Sequence, residues 1–299
     1  MVLSVLLRRS SFGLLFLLAL CLRVDAQQTT RGKDFYVAFL PNIHNYGITS
    51  LDSLFIYIVA EVPTSGTIQY SDGSNTFTRA FSIPNPSQVY QFAVKWSAFE
   101  LLGYNQSSQY VTLNDNEKSS ARVFHITASE NVAVYALNHA TTTADAAMLY
   151  PVPALGTEYV VLSYNADGVL TNGVPNTSYT PSEFCVIATE DNTRINVVPS
   201  VPSLASGMST KSFVLSKGQA WLCQSDFSSS QLNYDFSGTR IIASAPVAVF
   251  SGHQRAMIPL SARSSLSSRD HLFEQLPPLS VWGSSYIITP LAQIGRAHV

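Results

Sequence analysis

The sequence repeats itself at long range. Ala128-Ser129-Glu130-Asn131-Val132-Ala133-Val134-Tyr135, followed by Pro153 and Gly156-Thr157-Glu158-Tyr159-Val160, returns as Ala243-Ser244-Ala245-Pro246-Val247-Ala248-Val249-Phe250, followed by Pro278 and Gly283-Ser284-Ser285-Tyr286-Ile287. Gly32-Lys33-Asp34-Phe35-Tyr36-Val37 is an earlier copy of the last element. The glycines lie 156 − 32 = 124 and 283 − 156 = 127 positions apart, so a unit of nearly constant length has been duplicated. What recurs is apolar β pattern rather than polar residues poised for chemistry, which describes a scaffold.

The recurring segments are short, aromatic and β-branched: Phe35–Leu40, Leu54–Val59, Thr67–Tyr70, Val89–Val94 and Arg122–Thr127. Turn chemistry separates them, as at Asp72-Gly73, Asn85-Pro86, Asp167-Gly168, Asn172-Gly173 and Asp191-Asn192. The expected fold class is all-β, with duplicated units of antiparallel strands. A strand, a turn at Glu61–Thr64 or Glu190–Thr193 and a second strand read as a β-hairpin repeated in both units. About eight strands per unit suit two four-stranded sheets, so either propeller blades or a sandwich could house each one. No linker separates the units, which favours a propeller-like array over tandem β-sandwiches.

Residues 1–26 join Arg8 and Arg9 to an apolar run and end in Val24-Asp25-Ala26, the pattern of a cleaved secretory signal, the rival reading being a signal anchor. Residues 27–155 then form the first β unit, 156–282 the second, and 283–293 the start of a third. The last six residues, 294–299, translate the opening of a common short-read sequencing adapter. They are set aside as a scar, and the chain is expected to continue beyond Gln293.

With 46% hydrophobic residues, 12% charged and a net charge of −2, the composition supports a large core under a weakly charged surface. Lys and Arg form no stripe, which argues against nucleic acid and anionic lipid as partners, and no further stretch suits a membrane span. Asn105 and Asn176 head glycosylation acceptors of the permitted form, in keeping with secretion. Beyond the signal, Cys185 and Cys223 remain, and aligning the units sets Ile56 and Phe92 at their positions. Both are therefore expected to face a core, either as a disulfide or as packed thiols.

Catalytic patterns are missing: there is no Gly-x-Ser-x-Gly turn, no His-Glu-x-x-His cluster and no phosphate-cradling glycine loop. No cofactor or metal is expected. The densest ionisable group is Asp270, His271 and Glu274; Asp145 is a further candidate. For all of them, capping of backbone N–H groups outweighs an acid/base or metal role. Trp96, Trp221 and Trp282 read as packing residues ahead of a sugar-binding platform.

Gly32-Lys33-Asp34-Phe35, the phrase from Asn138-His139-Ala140 through Asp145 into Pro151–Tyr159, the turn Ala188–Thr193 and Asp270–Pro278 before Trp282-Gly283 resemble the N-terminal domain of the IgGFc-binding protein family. The resemblance runs from about Gly32 to Ala292. It implies a secreted module that precedes further extracellular domains, with Fc binding belonging to particular members only. In many relatives a cysteine follows His-Gln and another precedes Asp-His; Arg255 and Arg269 stand there in this chain, which implies a missing disulfide and a less constrained loop from Met257 to Ser268. The expected function is a non-catalytic extracellular interaction module of a larger secreted or mucus-associated protein, with a glycoprotein or glycan partner. The alternative is a propeller-type hydrolase or lyase with a loop-built site at Asp270, His271 and Glu274.

Overall fold

A computed structural model describes residues 29–44, 49–104, 115–167, 170–171, 174–175, 180–226, 234–259, 268–285 and 287. Residues 1–26, read above as a signal, Asn105 and Asn176, most of 283–293 and the last six residues lie outside them. The fold is all-β. The first unit contains β1 (Arg31–Val37), β2 (Ser53–Ala60), β3 (Thr64–Ser71), β4 (Thr76–Ile83), β5 (Val89–Lys95), β6 (Ser119–Ser120), β7 (Phe124–Ala140) and β8 (Thr143–Met148). The second contains β9 (Gly156–Val160), β10 (Leu170–Thr171), β11 (Val174–Pro175), β12 (Ser182–Ala188), β13 (Thr193–Val198), β14 (Lys211–Leu215), β15 (Ala220–Gln224), β16 (Arg240–Ala256) and β17 (Asp270–Gln275).

Each unit is organised around one 17-residue strand, β7 or β16. The first half of β7 pairs with β1 on one side and β3 on the other; its second half pairs with β2 and β8. β16 does the same with β9 and β13, then with β12 and β17. β4 and β14 extend one half-sheet and β5 and β15 the other. Counting the long strand in both halves gives two four-stranded sheets per unit, curled around one core. The duplicated, curled sheets fit a propeller-like or barrel arrangement.

The hairpin expected at Glu61–Thr64 is not one. β2 and β3 lie end to end along the same side of β7, both antiparallel to it, so they run in the same direction and cannot pair with each other. The same corner joins β12 to β13 through Asn192, whose φ of 57° is the left-handed conformation that asparagine tolerates. Consecutive strands pair as hairpins at β3–β4, β7–β8, β10–β11 and β13–β14.

The two units share a core. β2 follows the alternation of a sheet with one covered face, Leu54, Ile56, Ile58 and Ala60 being buried, whereas all seven residues of β12 are buried. One face of β12 (Phe184, Val186, Ala188) lines the second unit's own core. The opposite face, Cys185 and Ile187 with Leu222, Phe250 and Phe273, joins the first unit's core. Phe39 links them: its ring meets Phe124 edge-on at 5.3 Å and stacks on Phe273 at 5.7 Å, and Phe273 stacks on Phe250 at 5.3 Å. Such pairs add roughly 0.5–1.5 kcal/mol each beyond the area they bury. β6 pairs with β15, so a strand of the first unit extends the second unit's sheet.

Candidate functional site

The ionisable residues singled out in the sequence converge where β8 runs beside β17. Asp270 Oδ1 accepts hydrogen bonds from Thr143 Oγ1 (3.0 Å), the Ala144 N–H (2.9 Å) and the His271 N–H (3.0 Å). Asp145 answers in reverse, Oδ2 accepting from the Phe273 N–H (2.9 Å) and Oδ1 from the Ala146 N–H (2.8 Å). Each carboxylate thus reaches across the seam and caps the other strand's backbone. Burial, opposed by these amide bonds, raises the Asp145 carboxyl, and the Asp270 charge adds to the rise. Burial, then the charge of Asp145, raises Glu274.

His271 is buried and points away from that seam. Its Nδ1 donates to the carbonyls of His253 and Gln254, which makes Nδ1 the protonated nitrogen and leaves Nε2 without a partner. Burial lowers its pKa to about 3, so it is neutral. His253 is lowered to about 4 by the same cause. Asp145, Asp270 and Glu274 come together, but His271 does not share their environment.

Sequence reasoning missed a second cluster because its members are scattered: His44, Asp52 and Glu100. Nδ1 of His44 lies 2.9 Å from Asp52 Oδ2 and Nε2 lies 3.1 Å from Glu100 Oε1, both in the interior. Both ring nitrogens face carboxylate oxygens, an arrangement that favours the imidazolium, in which both donate. Burial opposes the charge, but Glu100 and Asp52 outweigh it and the pKa is raised. Trp96 stacks flat on the ring at 3.9 Å, a geometry that favours a cation. Thr141 donates from N and Oγ1 to Asp52, and Asn42 and Asn138 donate to Glu100.

Among the described residues no group of three or more His, Cys, Asp or Glu side chains could hold a metal ion, and no helix is long and apolar enough to cross a membrane. Cys185 and Cys223 are free, buried thiols. The disulfide alternative is not formed because Cys185 pairs in the ladder with Leu222 and Cys223 with Phe184, so the two side chains leave the sheet on opposite faces. The pairing also corrects the alignment of the units: Cys223 takes the place of Phe92, but Cys185 takes that of Tyr57, not Ile56. Arg269 Nε donates to the buried Asp167 Oδ2 at 2.5 Å and forms an ion pair with it.

The surface offers a different kind of site. An apolar groove of about 490 Å³ at the far end of the second unit is lined by Val160, Leu162, Leu276, Pro277, Val281 and Trp282. Trp282 is 49% exposed and Leu162 is 70% exposed. Trp282 is thus half-exposed among the described residues, its Nε1 donating to the Pro277 carbonyl at 3.4 Å.

The fold is an all-β module in which Asp145 and Asp270 cap backbone N–H groups and His44 is held between two carboxylates. Residues 145–298 match the family described as IgGFc binding protein, and the chain belongs to that family. It is 28% identical over 276 residues to the human IgGFc-binding protein, an alignment that covers 91% of this chain and 4% of the human protein's length.

Proposed function

We propose that this chain is a non-catalytic extracellular interaction module of a larger secreted protein, binding a protein or glycoprotein partner by surface contact. The observation that carries this reading is the fate of the ionisable residues: Asp145 and Asp270 are bound to backbone N–H groups, and His44 is enclosed by carboxylates and an indole. A general acid or base needs reach to a substrate proton and a free lone pair aimed at it; His44 is buried, and Asp145 and Asp270, although they lie at the surface, have oxygens engaged by backbone N–H groups. The alternative, a hydrolase site built from Asp270, His271 and Glu274, has the burial of His271 against it. Family membership, the signal-like residues 1–26 and acceptors at Asn105 and Asn176 support secretion. Residues 27–155 and 156–282 are read as the units, with a third beginning at 283. The human relative's name speaks of IgG Fc; for this chain the reading stops at a glycoprotein or glycan.

The test is an array of glycans and mucus glycoproteins, with IgG Fc as one probe, against the full chain at micromolar concentration. Retention by a glycoprotein, reduced when its glycans are removed, is expected. Binding to none of the probes overturns the reading.

A further inference from the structure

On the solvent side of the first unit's sheet, the part formed by β5, β2 and β7 carries an apolar patch, with Gln91 as the polar residue opposite Tyr57. Phe55, Tyr57 and Val59 on β2, and Tyr135 and Leu137 on β7, share this face with Val89 and Ala93 on β5. Tyr135 is 39% exposed, Phe55 and Tyr57 are half-buried, and these last two rings stack on each other at 5.9 Å. An antiparallel sheet wet on one side alternates apolar and polar residues, whereas Leu54-Phe55-Ile56-Tyr57-Ile58-Val59-Ala60 is unbroken, the pattern of a strand covered on both faces.

The second unit shows what covers such a face. Cys185, Phe250 and Leu222 stand at the positions of Tyr57, Tyr135 and Gln91, and they are buried against the first unit. Ala38 and Leu149 of the first unit belong to the same buried cluster as these three residues, and Leu155 packs against that cluster. Each has a counterpart in the second unit. Leu162 follows Gly156 by the same six positions as Ala38 follows Gly32, Leu276 precedes Pro278 as Leu149 precedes Pro151, and Trp282 precedes Gly283 as Leu155 precedes Gly156. These are residues of the apolar groove. Among the described residues, both halves of the inter-unit contact are therefore present without a cover, on different units.

We propose that a second copy of this chain seats its Leu162–Trp282 groove over the Phe55–Tyr57–Tyr135 face, repeating between copies the contact that joins the units within one. The contact is heterologous, so it propagates head to tail until a ring closes. A net charge of −2 opposes it little. The pairing is independent of the glycoprotein reading, and a chain that binds no glycan leaves it untouched.

Sedimentation velocity of the full chain from about 1 to about 200 µM tests it, a span that covers the affinities of modest interfaces. The expected result is a weight-average mass that rises reversibly with concentration. Tyr57→Lys/Tyr135→Lys and Leu162→Lys/Trp282→Lys should each associate at least tenfold more weakly, with unchanged thermal unfolding. Mixed, the two variants should recover a dimer that stops at two, because each retains the half that the other lost. A wild-type chain that stays monomeric, as when another protein or a further unit is the natural cover, overturns the proposal. So does association that survives both double variants, or a mixture of folded variants that fails to pair. If the lysine variants do not fold, Tyr135→Gln and Trp282→Gln, both at exposed positions, carry the same comparison.

Discussion

Gly32 lies flat against the ring of Pro151: a Cβ on the glycine would stand 2.3 Å from Pro151 Cβ. The second unit repeats the contact between Gly156 and Pro278, at 2.5 Å. The recurring glycine is therefore a packing requirement, set by a proline in the turn that leads out of each unit. Gly156→Ala should lower stability by about 1–3 kcal/mol, the range for overpacking at a rigid neighbour. Urea unfolding measures it. An unchanged midpoint would show that the turn moves aside freely, and the packing account would fail.

Cys185 and Cys223 should behave as small core residues. Burial, the main influence on both, raises each thiol well above its usual range, so native protein should resist alkylation. Non-reducing peptide mapping of secreted chain should recover both peptides unlinked. Each change to Ala should cost about 1–3 kcal/mol, with no additional loss of the size a severed bridge brings.

Glu183 sets a pH dependence. Burial, partly offset by the Gln224 Nε2 donor at 2.7 Å and reinforced by the charge of Glu100, raises its carboxyl well above 4.5. The folded state keeps a proton that the unfolded chain releases above about that pH, so this contribution is complete in acid and is lost as pH rises. Glu183→Gln removes the titration while keeping the side chain's shape. Its stability relative to wild type should therefore grow from pH 5 to pH 8, by at most about 1.4 kcal/mol per pH unit. Urea midpoints at four pH values decide it; a difference that does not vary with pH means that Glu183 is ionised in the fold.

Asp270→Asn should loosen the seam. One carboxylate oxygen serves three donors, and replacing it leaves some of them poorly matched, at a cost of about 1–3 kcal/mol. Hydrogen exchange should report faster exchange at Ala144 and His271, with β3 and β4 unaffected. Unaltered protection at Ala144 would contradict the capping role.

The strand identities were legible because β2, β3 and β5 carry aromatic and β-branched runs between turn residues. The corner at Glu61–Thr64 was not, since a tight turn between two strands looks the same whether they pair with each other or line up along a third. Cys185 was placed one residue off for a related reason: both faces of β12 are apolar, so no alternation marks which side is which. Asp145 and Asp270 lie 270 − 145 = 125 residues apart, and only the meeting of two sheet edges makes them reciprocal caps. His44 and Glu100 are joined by the same kind of closure, which leaves no local spacing to find. The open aromatic face was visible in Phe55-Ile56-Tyr57-Ile58, although it read only as a strand.

The long strand also dictates when a unit can come into being. Arg31 pairs with Ala133, 133 − 31 = 102 positions later, and β2 and β3 likewise wait for β7. A ribosome delivering this chain exposes β1 to β5 before the segment that orders them has emerged. Loop closures of that length are slow, and unpaired strands left in the interval invite wrong partners. Phe124–Ala140 is thus the keystone of its unit in time as well as in space, and a pause in synthesis short of it would leave β1, β2 and β3 with their common neighbour missing.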